Sequence, residues 1–149
     1  MIDIRKVSVD SVLSDPDLIS LLTEYGREVS FEAGPKPKPD FERYKVLEKS
    51  GSFHVLGCYD GNTLIGFMTI LVAVLPHWGR MMGVSESYFV SSAYRKTGAG
   101  LALLHKGEIF AKELGAEYFL VSAPVGGRLE EVLPHVGYDE TNRVFLKAL

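Results

Sequence analysis

Residues 83–104, GVSESYFVSSAYRKTGAGLALL, constrain the fold more than any other stretch of the chain. Tyr88, Phe89 and Val90 fit a pleated surface and predict a strand over 84–90. The tight loop Arg95-Lys96-Thr97-Gly98-Ala99-Gly100 follows, and a helix opens at about Gly98 and continues through Leu101, Leu103 and Leu104. A helix start has free backbone N–H groups and the positive end of the dipole, which together suit a phosphate. Glycines let that backbone approach a ligand with no Cβ in the way. Arg95 and Lys96 add mobile positive charge beside it. The junction therefore reads as a diphosphate site, set against the plainer reading of an ordinary strand-to-helix turn with a capping glycine.

The rest of the chain reads as α/β. Residues 2–9 alternate and predict a first strand. Asp15 with Pro16 starts a helix burying Leu18, Leu21, Leu22 and Tyr25. In residues 31–40 three alternating prolines exclude helix and central strand and favour a stiff, extended segment. Asp40 caps a second helix carrying Phe41, Tyr44 and Leu47. Asp60-Gly61-Asn62 joins two strands, 53–59 and 63–75, in a hairpin. The second is apolar almost throughout, as for a strand covered on both faces. Trp78, after the break at Pro76, either lines a ligand site or packs over a sheet end. The strand at 84–90 places Val84, Glu86, Tyr88 and Val90 on one face unless a bulge shifts the register. Its helix ends at Gly115. Residues 118–122 read as a buried parallel strand, completing a right-handed βαβ unit. A short helix over 128–136 and a last strand over 143–146 complete the chain.

The 149 residues suffice for one domain with a real core. Net charge is −3, so a broad nucleic-acid footprint is not expected. One cysteine, Cys58, forms no intrachain disulfide and fits a reducing compartment. The longest apolar run falls short of the ~20 residues a membrane helix needs. The start of the chain lacks a signal-peptide h-region. A cytoplasmic protein is the plain reading. His54, His77, His105 and His135 have no metal-ligand spacing, so no metal is expected.

Nucleotide motifs do not account for the loop. It lacks GxxxxGK[ST], and only Gly98-Ala99-Gly100 of a GxGxxG is present. What fits is R/Q-x-x-G-x-G/A, met by Arg95, Gly98 and Gly100, inside V-x-x-x-Y-R-x-x-G-x-G-x-x-L-L, met by Val90, Tyr94, Leu103 and Leu104 as well. This string resembles the acyl-CoA-binding motif of the GNAT superfamily of N-acyltransferases, in its single-domain bacterial or phage type. Ser92 stands where the family often has proline, at a position that is not a ligand.

The resemblance implies a mixed central sheet in the order β-α-α-β-β-β-α-β-α-β, with a splayed pair of parallel strands. It implies acetyl-CoA or another short acyl-CoA as co-substrate and direct transfer to an amine. Arg95, Lys96, Thr97, Gly98, Ala99 and Gly100 would hold the diphosphate. A bulge in the strand at 84–90 would expose backbone groups of Phe89 and Val90 to the pantetheine arm and the thioester carbonyl. Glu86, mid-strand, would assist deprotonation of the amine through water; its other reading is a paired or solvated carboxylate. The tyrosine that many relatives use as an acid falls here near Leu133, and the asparagine often found after the fifth strand is missing from Ser122-Ala-Pro-Val-Gly. His135 and Tyr138 lie nearby and read as structural. The acceptor, a small-molecule or protein amine, would be set by residues 25–40 and 75–82, with Lys36 and Lys38 either gating an acidic acceptor or lying in a solvated loop. The family also admits a homodimer. The alternative is a non-catalytic acyl-CoA-binding sensor or interaction module.

Overall fold

The computed structural model describes residues 1–30 and 34–149. Residues 31–33 of the proline-bearing segment lie outside the described residues. β1 (Ile2–Val7), β2 (Phe53–Asp60), β3 (Thr63–Leu75), β4 (Arg80–Val90) and β5 (Tyr118–Val121) form one sheet in the order β1-β2-β3-β4-β5. The first four strands are antiparallel neighbours, and β4 and β5 are parallel. This is the mixed sheet expected for the GNAT fold.

Helices cover both faces. α1 (Val9–Leu13), α2 (Leu18–Val29) and α3 (Phe41–Lys49) pack on one, and α4 (Ala99–Glu113) crosses the other. Two apolar clusters result. One joins Val9, Leu18, Leu21, Phe53, Phe67 and Phe89 on the α1–α3 side; the other joins Met68, Ile70, Val90, Leu103 and Leu104 on the α4 side. β3 contributes to both, which explains its nearly unbroken apolar sequence.

Local chemistry sets the boundaries. The predicted first strand stops at Val7 because Ser8 caps α1, its Oγ accepting the Ser11 N–H at 3.0 Å. The N-cap of α2 is Asp17 rather than Asp15; Asp15 turns back to accept the Asp17 N–H, and Asp17 ties the helix to β3 by accepting the Leu64 N–H at 3.2 Å. Asp40 caps α3 as expected, accepting from Arg43 N at 3.0 Å. Gly61 takes φ +59° in the hairpin turn and Gly115 φ +94° just past α4.

The C-terminal region differs from expectation in two ways. β5 is parallel to β4, but none of its residues is buried and Tyr118 is 59% exposed. It is an edge strand, so its apolar run lacks cover on its outer side. After α5 (Arg128–Val132) and a 3-10 turn at Leu133–Val136, residues 138–149 form neither helix nor strand. The strand expected over 143–146 is therefore unformed: among the described residues no strand lies beside it to complete its hydrogen bonds.

Candidate acyl-transfer site

β4 carries the site, and a bulge shapes it. Thr69 of β3 faces Ser87, but the next residue, Ile70, faces Ser85. Glu86 is thus the extra residue of a β-bulge. The single-face alternation read from the sequence is corrected accordingly. Glu86, Ser87 and Phe89 turn to the α1–α3 side, whereas Tyr88 and Val90 turn to α4.

The bulge also marks where the sheet parts. β4 and β5 pair only from Met82↔Tyr118 to Ser85↔Val121. Beyond Ser85, β4 continues to Val90 with no strand on that edge among the described residues. Ser91 N donates to Ile65 O of β3 at 2.9 Å, and the Phe89 carbonyl lies where a Cβ on Gly66 of β3 would meet it. Backbone direction alternates along a strand, so the polar groups of Tyr88 and Val90 face the open edge. Of the two residues expected to meet the pantetheine arm, only Val90 faces the gap with its backbone. Phe89 contributes its ring, edge-on to Tyr25 at 5.5 Å.

The glycine loop is open. Lys96, Thr97 and Gly98 are exposed, and Gly98 has φ +84° at the N-cap of α4. Ala102 is the first residue of α4 whose N–H reaches back, to Gly98 O at 3.0 Å. Helix geometry therefore leaves the N–H groups of Gly100 and Leu101 without an intrahelical acceptor. Ala99 N is held by Thr97 Oγ1 at 3.3 Å, and Ala99 is buried. Tyr88 Oη donates to Gly100 O, and a Cβ on Gly100 would lie 3.3 Å from that oxygen. Burial pushes the Tyr88 phenol up to about 12, so it stays a neutral donor.

Arg95 departs from the sequence reading. Its Nε donates to Val90 O at 3.0 Å and its Nη2 lies 2.7 Å from both carboxylate oxygens of Glu28 on α2. It is a fixed strut and not a mobile charge; Lys96 alone keeps that role in the loop. Glu24, one turn earlier on α2, accepts from Ser92 N at 2.7 Å and Ser91 Oγ at 2.9 Å. Burial raises the Glu24 carboxyl, but these hydrogen bonds and Arg95 outweigh it and hold the group below its ordinary value. Sequence reasoning missed both glutamates, which look like the solvent face of an amphipathic helix.

On the other side of β4 lies a cavity of about 300 Å³, bounded by α1, α2, α3 and the segment around Lys38. Glu86 sits in its lining. Tyr44 Oη donates to the two Glu86 oxygens at 3.0 and 3.1 Å, and Thr69 Oγ1 donates to Oε2 at 2.8 Å. Because the Thr69 proton is spent on Glu86, the 2.6 Å contact to Ser87 Oγ requires Ser87 to donate. Burial and the adjacent Glu86 charge push the Tyr44 phenol well up, so it too remains a donor. Tyr44 and Thr69 were not read as site residues from the sequence: Tyr44 sits at a core-like helical spacing, and Thr69 lies inside an apolar strand.

Other expected residues fall elsewhere. Lys38 lines the cavity and Lys36 is exposed. Trp78 is half-exposed at the β3–β4 hairpin, packed edge-on to His77, and does not line the cavity. Leu133 is buried in the α4-side cluster. Tyr138 Oη donates to Glu108 of α4 at 2.7 Å, and His135 is exposed.

Comparison with known proteins agrees with this geometry. A ribosomal-protein-alanine N-acetyltransferase from Brucella melitensis biovar Abortus 2308 is 17% identical with a TM-score of 0.75, covering 100% of this chain and 99% of that one. An aminoglycoside acetyltransferase, HMB0005, from an uncultured soil metagenomic sample is 17% identical with a TM-score of 0.77 over 100% and 99%. Glucosamine-6-phosphate N-acetyltransferase from Arabidopsis thaliana is 14% identical with a TM-score of 0.75 over 99% and 98%. At such identities the likeness is one of fold. No match was found among curated protein sequences. The model of the acetyltransferase (GNAT) family matches residues 17–126. That span runs from the start of α2 through the bulged strand, the glycine loop, α4 and β5, and the chain belongs to the acetyltransferase (GNAT) family.

Proposed function

We propose that the protein is an N-acetyltransferase that moves an acetyl or other short acyl group from acetyl-CoA directly to a primary amine. The observation that carries this reading is the bulge at Glu86, which sets a hydrogen-bonded carboxylate beside the parted end of β4. The coenzyme supplies the activated thioester. The N–H groups at the start of α4 and the Lys96 ammonium fit its diphosphate, and Gly98 and Gly100 keep the approach clear. Val90 offers its N–H along the open edge, where it can stabilise charge developing on the acyl oxygen, while its carbonyl is held by Arg95. Glu86 attracts the incoming ammonium and takes its proton, directly or through water, so that the neutral amine attacks. Tyr44 and Thr69 hold the carboxylate in place. The chain works as one domain, and its single, buried cysteine suits a cytoplasmic setting.

Thiol release from acetyl-CoA across an amine panel tests the reading. Glu86→Gln is expected to lower kcat/KM by about 10²–10⁴, the usual range for losing a positioned base. Unchanged turnover at every pH would remove Glu86 from the mechanism. A second reading, a coenzyme-binding module without catalysis, is favoured by the buried Leu133 where relatives carry a tyrosine. Acetyl-CoA turnover with any primary amine rejects it.

A further inference from the structure

We propose that the acceptor is a monoamine on an apolar body, an arylalkylamine or branched alkylamine, and not a polyamine or an aminoglycoside. This rests on the acyl-transfer reading above. The cavity, about 300 Å³, lies at the small end for ligand sites. Its walls are hydrocarbon: Val12, Leu18, Leu22, Phe41, Val55 and Phe67. Two of its residues extend an aromatic panel suited to a flat ring. Tyr44 stacks on Phe53 with centroids 4.7 Å apart, and Tyr25 meets Phe67 edge-on at 5.4 Å.

Charge is arranged for one ammonium. Among the described residues the lining has two carboxylates, Glu86 and Asp40. Asp40 caps α3 through the Arg43 N–H and shares the lining with the Lys38 and Arg43 cations, which offset its charge. Glu86 is left as the anionic end. A second ammonium would meet hydrocarbon, or else Lys38 and Arg43, which also line the cavity. Burying an unpaired charge is costly, and a like charge repels it. A sugar-rich acceptor fares no better, because Thr69 and Ser87 lie beside Glu86 and are already hydrogen-bonded to one another.

The test compares kcat/KM by thiol release for 2-phenylethylamine and 3-methylbutylamine against spermidine, kanamycin and an alanine-initiated tripeptide. The apolar monoamines are expected to exceed spermidine and kanamycin at least 100-fold. Equal or better turnover of spermidine or kanamycin overturns the proposal while leaving acyl transfer intact. In parallel, saturation-transfer NMR with CoA present reads binding of 2-phenylethylamine without chemistry. The ring protons should gain saturation in the native protein and lose it in Leu22→Asp, with Leu22→Asn as a milder variant should the first not fold. Ring saturation without any turnover would defeat the acyl-transfer reading and keep the apolar cavity ligand; no ring saturation overturns the proposal.

Discussion

Single side chains decide how the candidate base is presented. Tyr44 gives one O–H to the two oxygens of Glu86, and Thr69 gives another. Hydrogen bonds to a charged group are worth about 1.5–3 kcal/mol when lost. Tyr44→Phe is therefore expected to lower kcat, by about tenfold or more, while leaving CoA binding unchanged; steady-state kinetics and a CoA titration separate the two. His54 offers a residue-scale test of stability. It is buried on β2, its ring edge-on to Phe110, with Nε2 unpartnered among the described residues. Burial, and then the Lys6 charge, push its pKa down. The folded chain thus disfavours the protonated ring, and the unfolded chain protonates first. Stability should be intact above about pH 6.5, the ordinary histidine value, and fall as pH drops below it. Urea midpoints at pH 7.5 and 5.5 check this, and His54→Leu should flatten the difference.

At the scale of elements, β4 is held on both sides by contacts that a sequence hides. The strand, the loop and α4 were legible because Gly98, Gly100 and the apolar stripe of α4 announce themselves locally. The bulge was expected only through the family resemblance, and its position at Glu86 shows only in the register of Thr69 and Ile70 against Ser87 and Ser85. Nor were Glu24 and Glu28 legible as clamps, since their partners lie some 67 residues away along the chain. The C-terminal strand was misread for a related reason. Its pattern fits a strand, but pattern says nothing about whether the segment reaches a pairing edge. Gly66 shows what the clamps protect. A Cβ there would stand 2.7 Å from the Phe89 carbonyl, a backbone atom that cannot swing aside. Gly66→Ala is expected to cost about 1–3 kcal/mol, the range for overpacking, and to weaken CoA binding by displacing β4. Thermal unfolding and a CoA titration of the variant measure both effects.

Across the whole molecule the sheet divides two packed sides, and α4 lies very close to it. Gly107 makes this possible: a Cβ would sit 2.5 Å from Met68 Sδ, in a region where Met68 is fully buried. Alanine gains about 1 kcal/mol of helix propensity over glycine. Overpacking costs about 1–3 kcal/mol. The second should win, so Gly107→Ala is expected to destabilise, read as a lower urea midpoint with unchanged slope. The division of the two sides reaches beyond stability. The glycine loop proposed for the coenzyme opens α4 on one face, and the cavity opens on the face of α1–α3; β4 and the Glu24 and Glu28 clamps of α2 join the two. On the proposed function, mutational drift in Val12 of α1, which lines the cavity but lies outside the clamped helix, can reshape what is acylated without disturbing how the donor is gripped. Such an enzyme can change its clientele over generations while its grip on the donor is inherited intact.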